Sequence, residues 1–67
     1  MKLELLRTEE TDGKWFKIIG AGGWPLKVIG FNDENELQKR NEILMAFDEI
    51  QERATKLNIV VLKSVEI

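Results

Sequence analysis

The side chains that most often carry catalysis are missing from this sequence. It has no cysteine, no histidine and no tyrosine, so it lacks a thiolate nucleophile, a thiolate metal ligand and the commonest general base. Acid–base catalysis would then require two carboxylates that converge in a pocket with separated pKa values. The acidic residues instead fall in a predicted turn, at the start of a predicted helix and on its solvent side. We therefore expect a non-enzymatic protein with no cofactor and no metal site.

A glycine-rich segment, Gly20-Ala21-Gly22-Gly23, is the one pattern that suggests a phosphate-binding loop. A phosphate loop aims backbone N–H groups at its ligand from the start of a helix. Here Trp24-Pro25 and a predicted strand follow, without the lysine and hydroxyl residue that such loops carry. The segment is better interpreted as a flexible connection between two strands.

Composition limits the remaining classes of function. The chain has 67 residues, enough for a single domain, with 43% hydrophobic and 33% charged residues, as in globular proteins. Its net charge of −2 gives it no electrostatic footprint for nucleic acid. No apolar run is long enough for a membrane helix, and the N-terminus does not resemble a signal peptide. We expect a cytoplasmic protein with no membrane partner, and the net charge weighs against a nucleic-acid partner.

Three strands are predicted ahead of the helix. Alternating apolar and charged residues predict the first strand over 2–8, and aromatic and β-branched residues predict two more over 15–20 and 24–31. An Asp-Gly pair at positions 12 and 13 predicts a tight turn between the first two strands. Pro25 cannot donate a ladder hydrogen bond, which favours an edge position for the third strand.

A long helix over 33–57 and a last strand over 59–67 complete the predicted fold. Asn32 and Asp33 are favourable caps, Asp33 and Glu36 have capping-box spacing, and Asn58 is expected to end the helix. The fold class is therefore α+β, with element order βββαβ and one long helix on one sheet face. We favour the strand order 3-2-1-4 over 1-2-3-4 because the third strand is the more natural edge.

The helix has one wide apolar stripe, which requires one face of the sheet. Alternation assigns to that face Leu3, Leu5, Phe16, Ile18, Leu26 and Val28. The last strand leaves two choices for its helix-facing residues, either Val60 and Leu62 or Ile59, Val61 and Val65.

One helix cannot cover both faces of a sheet, so the opposite face is predicted to stay exposed and to be an interaction site. The predicted interface on that face comprises Trp15, Lys17, Ile19, Lys27, Ile29 and Phe31. Trp24, beside the glycine segment, is a further candidate because tryptophan is frequent at binding hot spots. The alternative for Trp24 is that it folds over the open end of the core.

The leading hypothesis is a small protein-interaction module that binds a partner through this face, with a second copy of itself as the expected partner in a homodimer. One alternative is single-stranded nucleic-acid binding on the same face, since aromatic residues between lysines can stack on bases. A second alternative is a small-molecule-binding domain.

Overall fold

A computed structural model describes all 67 residues of the chain. The elements are β1 (Lys2–Glu10), β2 (Gly13–Ile19), β3 (Pro25–Phe31), α1 (Glu36–Lys56) and β4 (Leu62–Glu66), with one 3-10 turn at Ala21–Gly23. The sheet has the order β3-β2-β1-β4. β1, β2 and β3 pair antiparallel, and β4 pairs parallel to β1. The predicted fold class and strand order are confirmed.

The β1–β2 hairpin closes where the sequence predicts it. Glu10 pairs with Gly13, so Thr11 and Asp12 form the turn between them. Gly13 has a φ of 144°, a conformation that is accessible to glycine at little cost. Both strands are longer than predicted because the polar residues next to the turn continue the ladder.

The helix begins later than predicted and ends as predicted. Its first residue is Glu36, and the Asn32 side-chain oxygen accepts hydrogen bonds from the N–H groups of Glu34 and Asn35, each at 2.9 Å. The expected capping box between Asp33 and Glu36 was therefore wrong. At the other end, Asn58 adopts a φ of 57°, and this left-handed residue ends the helix.

The core lies between α1 and one face of the sheet, and α1 lies over β2 and β3. Its fully buried residues come from β1, β2 and the middle of the helix, and they are Leu3, Leu5, Phe16, Ile18 and Ile43. No helix in the structure has the length and apolar character that crossing a membrane requires.

The prediction for β3 was right for Leu26, which lines a depression together with residues of α1, and wrong for Val28. Phe16 pairs with Ile29 and Lys17 pairs with Val28, so Ile29 joins the core face and Val28 lies on the opposite face. A bulge between Ile18 and Ile19 shifts the register next to Pro25. For the last strand the structure selects the second alternative, since Val65 of β4 lies beside Leu5 and Val61, just before β4, packs against the core.

Candidate interaction surface

The face of the sheet away from α1 has no covering element. The β-register places on it an apolar group that we call the open face, comprising Leu6, Trp15, Ile19, Val28 and Leu62. Three of these side chains are half-buried by their neighbours, whereas Val28 and Leu62 are 45% and 70% exposed. The sheet therefore has one covered and one uncovered face, as expected, but some residues on the uncovered face are not the ones that were predicted.

Trp15 is held flat on the open face by two glycines. Gly30 is its cross-strand partner, and a Cβ built on Gly30 would come within 3.2 Å of the indole ring. A Cβ built on Gly13 would meet the same ring at 3.7 Å. The indole thus fills the space that side chains at these two positions would occupy.

An ion pair crosses the open face beside this tryptophan. The Lys17 ammonium donates to a Glu10 carboxylate oxygen at 2.7 Å. Along β1, Thr8 lies between Glu10 and Leu6, the partner of Lys17, and Thr8 itself is the partner of Trp15. Thr8 Oγ1 and Trp15 Nε1 are both buried without a hydrogen-bond partner in the protein, which is a costly arrangement for polar atoms.

Three predicted interface residues lie on the helix side of the sheet instead. Phe31 is only 9% exposed and stacks on Phe16 with ring centroids 4.3 Å apart. Ile29 packs against the same core, and the register places Lys27 on that side as well, opposite Ile18. Their predicted positions on the helix-free face were wrong because β3 carries apolar residues at both parities.

Trp24 occupies the loop between β2 and β3 and is 72% exposed. It is therefore not folded over the end of the core, which was the alternative to a contact at the loop tip. Gly22 and Gly23 next to it have φ values of 72° and 78°, so the loop depends on glycine for its shape. The strand that follows leaves no helix N-terminus behind the glycines for a phosphate.

Charged residues at the start of α1 serve to hold the helix on the sheet. The Arg7 guanidinium donates to both Glu36 carboxylate oxygens, at 2.8 and 3.2 Å, and lies 5.0 Å from the centre of the Phe31 ring. The hydrogen bond from Arg7 lowers the pKa of Glu36 and raises that of Arg7. The same interaction with Lys14 lowers the pKa of Asp33. Arg7–Glu36 and Lys14–Asp33 thus form two ion pairs that connect the start of α1 and the residues before it to β1 and β2.

Two depressions remain, and neither has the form of an enclosed ligand site. One of about 430 Å³ lies along the polar back of α1 and is lined by that helix alone. The other, of about 350 Å³, lies at the open end of the core, where Leu26, Ile50, Leu57 and Ile59 surround Ala54. Its one charged lining residue is Arg53, whereas specific small-molecule sites usually combine several convergent polar groups.

The acidic residues do not form a metal centre, because no three of them come close enough together to hold an ion.

The feature that sequence reasoning missed is the Trp15–Gly30 pair. A glycine opposite a tryptophan predicts that the ring lies across that position, and this decides which residues of β3 face the helix.

Comparison with protein-family models, curated proteins and solved structures finds no match to this chain.

Proposed function

We propose that this protein is a non-enzymatic interaction module that self-associates through its open face. The observation that carries the proposal is the uncovered sheet face, where Trp15 lies across Gly30 and the nearby Val28 is exposed, with Leu62 exposed at the far end of the same face. An exposed apolar group on a sheet face is typical of a contact surface. Tryptophan is also frequent among the residues that contribute most to binding.

The charges around the open face fit a protein partner better than a nucleic acid. The register places Lys2, Glu4, Lys17 and Glu66 on this side of the sheet, together with Glu10. Lys17 is paired with Glu10, and Lys2 lies 3.7 Å from Glu4. A surface with more carboxylates than lysines repels phosphates, whereas a second copy of it can offer both signs in return.

Sedimentation equilibrium over a wide concentration range tests the proposal. Wild-type protein should associate, and Val28→Lys should raise the dissociation constant at least about tenfold, which corresponds to 1.4 kcal/mol. Val28 is suited to this test because its exposure allows a lysine without disturbing the core. Lysine at Ile29 or Phe31 would instead place a charge against the core and would test folding.

Met45→Lys is the matched control, since Met45 is 66% exposed on the helix and the substitution adds the same charge. This variant should associate like the wild type. Wild-type protein that stays monomeric at the highest concentration would contradict the proposal. Salt-dependent quenching of tryptophan fluorescence by an oligonucleotide would favour the nucleic-acid alternative instead.

The proposal includes a cytoplasmic location, with which the absence of cysteine is compatible. Fractionation of cells that produce the protein at its natural level would test this assignment, and recovery from an exported fraction would overturn it.

A further inference from the structure

The two edges of the sheet differ in how they are protected. The β3 edge carries Pro25 and lies next to a register shift, and both features hinder pairing with another strand. β4 has no proline, no glycine and no bulge, and each of its five residues is exposed. Leu62 and Val65, on opposite faces of β4, are 70% and 51% exposed. β4 therefore lacks the proline and the bulge that hinder pairing at the β3 edge; it has apolar residues on both faces and Lys63 as its one basic residue.

The backbone of β4 specifies what can pair with it. The Leu62 N–H donates to the Met1 carbonyl at 2.8 Å, so the backbone groups of Leu62 point towards β1. Since backbone groups alternate along a strand, those of Lys63 and Val65 point outward from the sheet. An unpaired row of this kind is completed by an extended strand that supplies donors and acceptors at the same spacing.

We infer that β4 pairs antiparallel with β4 of a second copy, which continues the sheet across a two-fold axis. The two-fold axis is perpendicular to the sheet, so the helix-covered faces of both copies lie on the same side of the continuous sheet. Paired residues must therefore both be odd-numbered or both be even-numbered. Pairing Lys63 with Val65 of the other copy satisfies this condition, joins the two outward-pointing rows and places Ser64 on the axis.

Charge selects this register over its neighbours. Two other registers are next to this one. In the first, Lys63 pairs with Lys63 of the other copy, so that two like charges lie opposite each other. In the second, Leu62 has no residue of the other copy opposite it. With Ser64 on the axis, Glu66 of one copy faces Leu62 of the other. Lys2 lies beside Leu62 on β1, about 10 Å from that Glu66 by two strand spacings. The two long side chains can then meet across Leu62, once on each side of the axis.

This edge contact joins outward backbone groups of β4, whereas the proposed open-face contact joins side chains; Leu62 lies where the two surfaces meet. Either contact alone produces a dimer, and both together would produce a larger assembly. The edge contact also places the open faces of two copies side by side on one continuous sheet. It would thereby enlarge the surface that the open face offers.

A single cysteine tests the edge contact directly because the natural chain has none. Ser64 would form a non-hydrogen-bonded pair, with Cα atoms about 4.5 Å apart, a separation that permits a disulfide. Ser64→Cys should therefore give a reducible disulfide dimer under mild oxidation, even at low protein concentration. Met45→Cys, on the exposed helix surface, should remain mostly monomeric.

Val65→Pro supplies an independent readout. It removes an outward N–H and leaves the hydrogen bonds to β1 intact, so it should abolish the edge contact, whereas Val65→Thr keeps both the N–H and the shape and should not. A Ser64→Cys protein that forms no more disulfide than Met45→Cys would overturn the inference. In that case, association that is still seen in sedimentation and is abolished by Val28→Lys would support the open-face proposal alone.

The opposite result is also informative. If Ser64→Cys forms the disulfide and Val28→Lys does not affect association, the edge contact is supported and the open-face proposal is rejected.

Discussion

The position of β3 relative to the core predicts that Phe31 and Val28 contribute very differently to the free energy of unfolding. Phe31 is nearly buried and stacks on Phe16, and the Arg7 guanidinium lies 5.0 Å from the centre of its ring. Val28 lies on the opposite face and is almost half exposed. Removing the side chain of Phe31 should therefore destabilise the protein far more than truncating that of Val28.

The magnitude follows from burial and cavity formation. A buried Phe→Ala change costs about 3–5 kcal/mol, and we expect about 3 kcal/mol for Phe31 because its site lies on an edge strand. A protein of this length has a free energy of unfolding of roughly 3–10 kcal/mol, so Phe31→Ala can leave little folded protein. Phe31→Leu keeps most of the volume but loses the aromatic stack, and we expect it to cost about 1.5 kcal/mol.

Val28→Ala removes two methyl groups from a site that is already open to solvent, which should cost about 0.5 kcal/mol. Urea unfolding monitored by far-ultraviolet circular dichroism would measure all three variants with a common slope. A Val28→Ala protein that is less stable than Phe31→Leu would refute the assignment of faces in β3.

Three further predictions concern individual contacts. Thr8→Val should raise the free energy of unfolding by about 1 kcal/mol in urea titrations, because it removes a buried hydroxyl that lacks a partner. Gly30→Ala should lower it and shift the tryptophan emission, since the new Cβ would press on the Trp15 ring. Because pairing with Arg7 lowers the pKa of Glu36, the stabilisation is present at neutral pH and is lost as pH falls below the ordinary carboxyl range. Glu36→Gln should therefore lower the melting temperature at pH 7 and flatten its decline in acid, and an unchanged acid profile would contradict this.

The strand order could be predicted because it depends on strong local signals. Helix length and direction bring the last strand back parallel to β1, and Pro25 marks an edge. The ends of the elements were predicted less well, because polar residues next to the first turn extend the ladder and tertiary ion pairs compete with caps. Asp33 and Glu36 have capping-box spacing, yet they pair with Lys14 and Arg7 instead.

The composition of the open face could be predicted only in β2. Trp15 and Ile19 lie opposite in parity to the buried Phe16 and Ile18, and no competing pattern exists in that strand. In β3, apolar residues occur at both parities, so alternation alone does not distinguish Val28 from Ile29. The register with β2 decides between them, and the sequence reports that register only through the glycine opposite Trp15.

Parity in β4 was open for a related reason. Residues 59–62 are all apolar, and a run without alternation has no preferred face. The structure settles it through the parallel register with β1, in which Leu5 lies beside Val65 and Lys2 beside Leu62. That register depends on contacts distant in sequence, which a local pattern does not encode.

An isotope-filtered nuclear Overhauser experiment on a mixture of labelled and unlabelled protein tests the central claim most directly, because it identifies which protons of one copy lie near those of another. The open face predicts intermolecular signals that connect the Trp15 ring with the methyl groups of Ile19 and Val28. Their absence, in a sample at millimolar concentration that tumbles at the rate of a monomer, would contradict self-association through this face.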